Sequence, residues 1–276
     1  MANQANSGAA QTLQPLSRFP AAQRAEVRGV LFDIDDTLTT EGKLTAVAYA
    51  AMERLHAAGF MVVPITGRPA GWCDHIARMW PVDAVVGENG AFYFRYDHAA
   101  RRMIKRYALA EAARAENRAR LDALEAKILA AVPGAGCVSD RDYRETDLAI
   151  DYKEDVNPLP EASVLRIVEM FQEAGANAKI SSIHVNGWFG SYDKLSMTRI
   201  MFAECFSVDL NAGKDAFVFV GDSPNDAPMF AHFPHAVGVA NVRDFAGRLA
   251  EGPAYVTEAR AGAGFAELAD ALLAAR

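Results

Sequence analysis

Gly29-Val30-Leu31-Phe32-Asp33-Ile34-Asp35-Asp36-Thr37-Leu38-Thr39 runs an apolar strand straight into three carboxylates and two hydroxyls. Strand interiors are poor in Asp, so the cluster marks the end of a strand. Side chains alternate along a strand, which starts Asp33 and Asp35 on one side; a turn there lets one carboxylate and a nearby backbone carbonyl grip the same cation. The segment has the make-up of a Mg2+ site beside a nucleophile.

From residue 28 onward, apolar runs alternate with helical patterns: strand 30–34, helix 44–57, strand 60–65, helix 70–79, strand 84–86. The same alternation returns late, with helix 195–206, strand 216–220, helix 227–231, strand 236–239 and helix 265–274. Such alternation predicts an α/β fold with a doubly wound, Rossmann-like parallel sheet and helices on both faces. Between the two halves the pattern changes. Two aromatic or basic strands (92–96, 103–107) precede a long helix (110–131), strands near Cys137 and at 148–152, a helix (161–174) and a hairpin through 179–183 and Phe189. Elements that do not alternate suggest an α+β unit with an antiparallel sheet, inserted as a cap. The expected organisation is a disordered tail over 1–25, a core over 26–90 and 193–276, and a cap over 91–192.

With 276 residues, 51% hydrophobic and 23% charged, the chain can bury a large core. A net charge of -7 argues against nucleic-acid or anionic-membrane partners, whose polyanionic surfaces attract clustered Lys and Arg. Cys73, Cys137 and Cys205 are odd in number and far apart, so neither a disulfide framework nor a zinc site is expected. The amino-terminal stretch lacks a basic start and an apolar segment of signal-peptide type, and no run approaches the roughly eighteen apolar residues of a membrane helix. The expectation is a cytoplasmic protein, monomer or homodimer, acting on a small molecule.

In an open α/β sheet, ligands bind beyond the carboxyl ends of the strands. Three such ends are loaded: Asp33, Asp35, Asp36 and Thr37; Thr66, Gly67 and Arg68; and Asp222, Ser223, Asn225 and Asp226. Any one of them alone would pass for a helix cap or an ordinary turn. Three at equivalent positions point to a site. Four carboxylates crowded at one sheet edge repel unless a hard cation neutralises them, and all-oxygen ligands select Mg2+. Lys194, where the chain re-enters the core, would share the charge of a phosphoryl group drawn to the metal. In the cap, His184, Asn186 and Trp188 share one face of an alternating strand, which suits the hydroxyls and apolar ring face of a sugar. The same pattern would serve a strand that merely buries its Trp. Arg68 and the Glu88-Asn89-Gly90 turn are candidates for substrate or hinge contacts, and Gly262-Ala-Gly264 reads as a loop.

These segments resemble the four motifs of the haloacid dehalogenase superfamily: Asp33-Ile-Asp35-Asp-Thr37, then Thr66, then Lys194, then Gly221-Asp222-Ser-Pro-Asn225-Asp226. The resemblance covers nearly everything from residue 28 onward. Placing the cap between the second and third motifs is similar to subfamily IIB (Cof-type), which includes sugar phosphatases, sucrose phosphatase, mannosylglycerate-phosphate phosphatase and phosphomannomutase. It implies that Asp33 is the nucleophile that becomes an aspartyl phosphate, and that Asp35 is the acid and base. Thr66 and Lys194 would hold phosphoryl oxygens. Gly67, Arg68, Asn89, His184, Asn186, Trp188 and Asn225 are the further candidates for substrate contact. The Asp33 carboxylate, the Asp35 backbone carbonyl and Asp222 would hold Mg2+ with Asp226 close by, and Asn225 would orient Lys194 or the groups around the metal. Asp36 stands where many relatives have Gly and is expected to point away and cap the turn. An Asp at the position of Asp35 implies a phosphatase or mutase. The implied function is a Mg2+-dependent phosphatase acting on a small phosphorylated metabolite, a sugar phosphate foremost; the alternatives are a phosphomutase of phosphomannomutase type and a non-catalytic phosphometabolite-binding protein.

Overall fold

The computed structural model of the chain describes residues 13–276 apart from 246 and 248. In chain order, the first half of the core holds β1 (Gln14–Pro15), α1 (Ala21–Glu26), β2 (Gly29–Phe32), α2 (Ala46–Ala57), β3 (Met61–Pro64), α3 (Ala70–Met79) and β4 (Val85–Gly87). A hairpin follows, β5 (Phe92–Asp97) and β6 (Arg102–Tyr107). The insertion contains α4 (Glu111–Ala131), β7 (Gly136–Cys137), β8 (Leu148–Asp151), α5 (Glu161–Glu173), β9 (Asn177–Ile180) and β10 (His184–Trp188). The chain closes with α6 (Lys194–Phe206), β11 (Phe217–Gly221), α7 (Ala227–His232), β12 (Val237–Gly238), β13 (Tyr255–Val256) and α8 (Ala261–Leu273).

The core sheet runs β1-β13-β12-β11-β2-β3 with every pairing parallel. Alternate residues of β2 feed opposite layers. Val30 and Phe32 pack into one apolar cluster with α2, α3 and α8, and Leu31 joins Val63, Phe219 and residues of α6 and α7 in the other. Burial on both sides is why these strands read as continuous apolar runs. Phe32 pairs with Val220 on one side and Pro64 on the other, which sets the three loaded strand ends level along one edge.

In the cap, the antiparallel sheet β7-β8-β10-β9 carries α4 and α5 on one face. Leu148, Ile150 and Val185 pack there against Leu121, Ile128, Ile167 and Phe171. Gly187 lies on that face, where a Cβ would come within 2.1 Å of the Phe171 ring, so glycine lets α5 close down. His184 and Asn186 alternate onto the other face.

Three expectations are corrected. Residues 13–25, expected in the tail, are built into the core, because Leu16 and Phe19 are buried, Leu13 packs against a core cluster, β1 pairs with β13, and the Phe19 ring stacks on Tyr255 at 4.7 Å; the rest of that expected tail, 1–12, lies outside the described residues. The β5–β6 hairpin belongs to the core side of the proposed boundary. An Ile65–Val86 bridge carries the core sheet into β4, which pairs with β5, and Phe92 and Phe94 join the core cluster. Gly262 and Gly264 fall in the first turn of α8, where their missing side chains admit the Leu38 and Ala259 carbonyls.

Candidate active site

Asp33 follows β2 directly, and its backbone N–H still bonds Val220 O at 2.9 Å, so the sheet holds the residue at its edge. Asp33 Oδ1 accepts from the Ile34 N–H at 2.8 Å, and Oδ2 lies 3.1 Å from Lys194 Nζ. Lys194 is the first residue of α6, whose start is fixed by reciprocal bonds between Asp193 and Ser196. The same ammonium bonds Asp226 Oδ1 at 2.8 Å, while Asp226 Oδ2 accepts from the Asp222 N–H at 3.1 Å. Gly221 makes that approach possible, since a Cβ there would fall 2.4 Å from Asp226 Oδ2.

The carboxylates of Asp33, Asp222 and Asp226, all buried, lie within 4.8 Å of one another. Thr37 Oγ1 donates to Asp222 Oδ1 at 2.9 Å, whereas the buried Asp222 Oδ2 has no hydrogen-bond partner. Burial pushes Asp33 up to about 7 despite the pull of Lys194. Burial and the neighbouring charges of Asp226 and Asp33 raise Asp222 well above the carboxylate range. Burial works to depress Lys194, but the Asp226 and Asp33 carboxylates hold it above the usual lysine value. All-oxygen donors, crowded charge and an orphaned buried oxygen fit a hard divalent cation.

Asp35 gives no carboxylate to this trio. The Arg68 guanidinium clasps it, with Nε 3.0 Å from both oxygens and a terminal nitrogen 2.8 Å from Oδ1. Arg68 continues to the cap, reaching Glu154 Oε1 at 2.8 Å and Asp140 Oδ2 at 3.5 Å. His184 Nε2 lies 2.8 Å from the other Glu154 oxygen, and that contact, with Arg68 beside it, depresses Glu154 to about 2. Arg144 bonds Asp140, Asp147 and the Gly67 carbonyl; Asp147 in turn accepts from Asn186 Nδ2 at 3.3 Å. A cavity of about 10 Å3, room for a single water, is enclosed between the two units. Asp33, Asp35, Gly67, Arg68 and Asn225 line it from the core, and Arg144, His184 and Asn186 from the cap.

The expected residues therefore meet at one place, with some reassigned. Thr66 is fully buried and does not line the cavity, its hydroxyl accepting from the Arg68 N–H at 3.0 Å. Asn89 backs Gly67 rather than lining the cavity. Asn225 accepts from the Ser223 hydroxyl, so Asp226 and not Asn225 orients Lys194. Trp188 turns from the pocket: it is buried with the core cluster, stacked on Tyr192 and donating to the Tyr192 carbonyl, because its end of β10 meets the returning chain. Asp36 adopts φ +56, the left-handed conformation that glycine takes without strain, which accounts for glycine being acceptable there. Arg144 and Glu154 were missed as site residues, and Thr37, named at the loaded strand end, was given no role. The Arg144-Glu-Thr-Asp147 run before an apolar strand carried a signal, since charge abutting a buried strand needs partners.

Residues 30–121 match the family of haloacid dehalogenase-like hydrolases. No curated protein matches the sequence. Among solved structures, the C-terminal domain of trehalose-6-phosphate phosphatase from C. albicans superposes with a TM-score of 0.68 at 13% identity, over 97% of this chain and 99% of that one. A Plasmodium vivax protein described as HAD/COF-like gives 0.66 at 17% identity over 93% and 99%. The sucrose-phosphatase of Synechocystis, solved with sucrose and phosphate, gives 0.59 at 15% identity over 89% and 98%. The chain thus has the haloacid dehalogenase-like fold, core and cap together, as its four motifs implied.

Proposed function

We propose that this chain of haloacid dehalogenase-like fold is a Mg2+-dependent phosphatase that hydrolyses a small phosphorylated metabolite, foremost a sugar phosphate, through an aspartyl phosphate. One observation carries the reading: three buried carboxylates crowd together at the carboxyl ends of β2 and β11, a single lysine pairs with only two of them, Asp33 and Asp226, and Asp222 Oδ2 has no partner. The Asp33 and Asp222 carboxylates, with Asp226 and the Asp35 carbonyl, are the groups that would hold Mg2+. The ion, when bound, supplies positive charge against the phosphoryl oxygens.

Asp33 attacks phosphorus in line; the bond from phosphorus to the ester oxygen breaks, and Asp35 delivers a proton to the departing oxygen. A water then attacks the phosphorus of the acyl phosphate, Asp35 takes its proton, and inorganic phosphate leaves with Asp33 restored. Lys194 and the Thr66 hydroxyl share the charge of the phosphoryl oxygens. Asp226 holds the lysine to this task. On the cap side, the His184 ring and the Asn186 amide, with Ser181 and Ser182 on the same cavity wall, offer hydrogen bonds matched to sugar hydroxyls. The C. albicans and Synechocystis proteins, whose names specify sugar-phosphate substrates, support that substrate class. Among the described residues no helix is long and apolar enough to cross a membrane, and a cytoplasmic setting is part of this reading.

The test is phosphate release from a panel of sugar phosphates, nucleotides and pyridoxal phosphate with Mg2+ and then with EDTA. Hydrolysis of sugar phosphates that EDTA abolishes is expected. Release unaffected by EDTA would remove the metal, and mannose 6-phosphate formed from mannose 1-phosphate without phosphate release would make the protein a mutase.

A further inference from the structure

At the end of β4, Glu88, Asn89 and Gly90 have φ values of +43, +56 and +102. Consecutive left-handed residues cost energy at each non-glycine position, and such strain persists only where the surroundings over-determine it. The surroundings here do so. The Glu88 and Asn89 N–H groups bond the Arg68 and Thr66 carbonyls at 3.1 and 3.0 Å, fixing the turn behind the phosphate-side loop. A Cβ on Gly90 would sit 2.0 Å from the Asp193 carbonyl, beside Lys194.

The Glu88 side chain is fully buried. Oε1 accepts from the Ala70 N–H of the core at 2.9 Å and from the Glu145 N–H of the cap at 2.9 Å. Oε2 accepts from the Thr146 N–H at 2.6 Å, the Asp147 N–H at 3.1 Å and the Thr146 hydroxyl. One carboxylate thus collects five donors from both sides of the seam. The cap residues it fastens flank Arg144 and include Asp147, the groups that reach Gly67 and Asn186 at the cavity.

Resting on the phosphatase reading, we propose that Glu88 is a positioning residue for the reaction: its carboxylate locks the cap segment 144–147 to the loop 66–70, so that cap groups meeting the leaving group and core groups meeting the phosphoryl stay in one register. Glu88 touches neither. Its effect is on substrates whose leaving group the cap must hold.

The experiment compares Glu88→Gln, Glu88→Asp and Thr146→Val with the wild type on a hexose phosphate and on p-nitrophenyl phosphate, whose leaving group needs neither cap contacts nor a proton. Glu88→Gln turns one acceptor into a donor facing N–H groups. It should lower kcat/KM for the hexose phosphate about 100-fold, the scale of a misplacement near 1 Å, and change the p-nitrophenyl ester by less than about threefold. Glu88→Asp, with the charge but a shorter reach, should recover part of the loss. Thr146→Val, which removes a single donor, should show the same substrate bias in weaker form and guards against misfolding of the Glu88 variants. Equal losses on both substrates, or no loss, overturn the proposal. Amide hydrogen exchange decides independently of turnover: in Glu88→Gln the amides of Ala70 and of residues 145–147 should lose protection together, and unchanged protection overturns the clasp. A wild type inactive on the whole panel would sink the phosphatase reading, while the exchange result would still judge the clasp.

Discussion

The carboxylates at the ends of β2 and β11 and those along the seam between core and cap are, the partly exposed Glu154 apart, comparably buried, yet they are satisfied in opposite ways. On the seam each acid has its donors: Glu88 from four backbone N–H groups and a hydroxyl, Asp140 and Asp147 from Arg144, Glu154 from Arg68. At the strand ends, one lysine serves Asp33 and Asp226, Asp222 has no cation beside it, and one of its oxygens goes without any partner. A satisfied cluster builds a rigid joint, and an under-satisfied one leaves free energy for a ligand to recover.

The sharpest way to break this contrast is to disable the proposed nucleophile. Asp33→Asn keeps the shape, should still bind the ester and should lose kcat by about 10^4-fold or more, read as phosphate release; substantial residual hydrolysis removes Asp33 from its role. On the seam, Arg144→Met leaves Asp147 buried without its cation, and Asp140 with only the longer Arg68 contact, and should cost about 3–5 kcal/mol in urea unfolding. A smaller change would mean that the joint is looser than its hydrogen bonds suggest. At the strand ends the sign should reverse: Asp222→Asn relieves repulsion and should stabilise the metal-free protein by about 1–2 kcal/mol while abolishing stabilisation by Mg2+.

The pH dependence cuts across that contrast, because burial acts on both clusters. Burial pushes Asp33 and Glu88 up to about 7, so their contribution is complete at low pH and is lost as pH rises through 7. The Tm of the metal-free protein should fall from about pH 5 to about pH 8, and Mg2+ should raise Tm more at the upper end, where its ligands are ionised. Glu154, depressed from 4.5 to about 2, contributes in the opposite sense: its share is full above pH 4.5 and is lost progressively as pH falls toward 2. The smallest effect is expected at Glu154→Gln, about 1 kcal/mol or less, because that carboxylate is partly solvated.

The strand-end cluster was legible in the sequence because each member follows an apolar run, and a polar residue after such a run has few places to go. Asp33, Thr66 and Asp222 reach one edge through the parallel register alone. Of the seam, only Arg68 and the Glu88 turn were legible, as candidate substrate or hinge contacts; their cap partners, Glu154 and the segment from Arg144 to Asp147, were not, since these residues find one another only after the cap has docked, and no local periodicity encodes a docking angle. The alternation in β10 placed His184 and Asn186 on the correct face but could not reveal that the strand runs out beside Tyr192, which claims Trp188. An aromatic hairpin such as Phe92–Tyr107 reads alike in either sheet. Leu16 and Phe19, two apolar anchors in a polar stretch, were too sparse for periodicity to detect.

The pairing of β2 with β11 has a consequence for how the chain assembles. Gly29 and Phe217 are register partners, so the strand that presents Asp33 gains its second neighbour only after the whole insertion has been synthesised. Loop closure over that span is entropically costly but grows only slowly with length, whereas the local hairpins and helices of the insertion need no such wait. The cap should become structured early during synthesis, and the edge that gathers the acidic groups should be among the last features to form. An incomplete chain would then display no charged nest able to capture metal before the fold can use it.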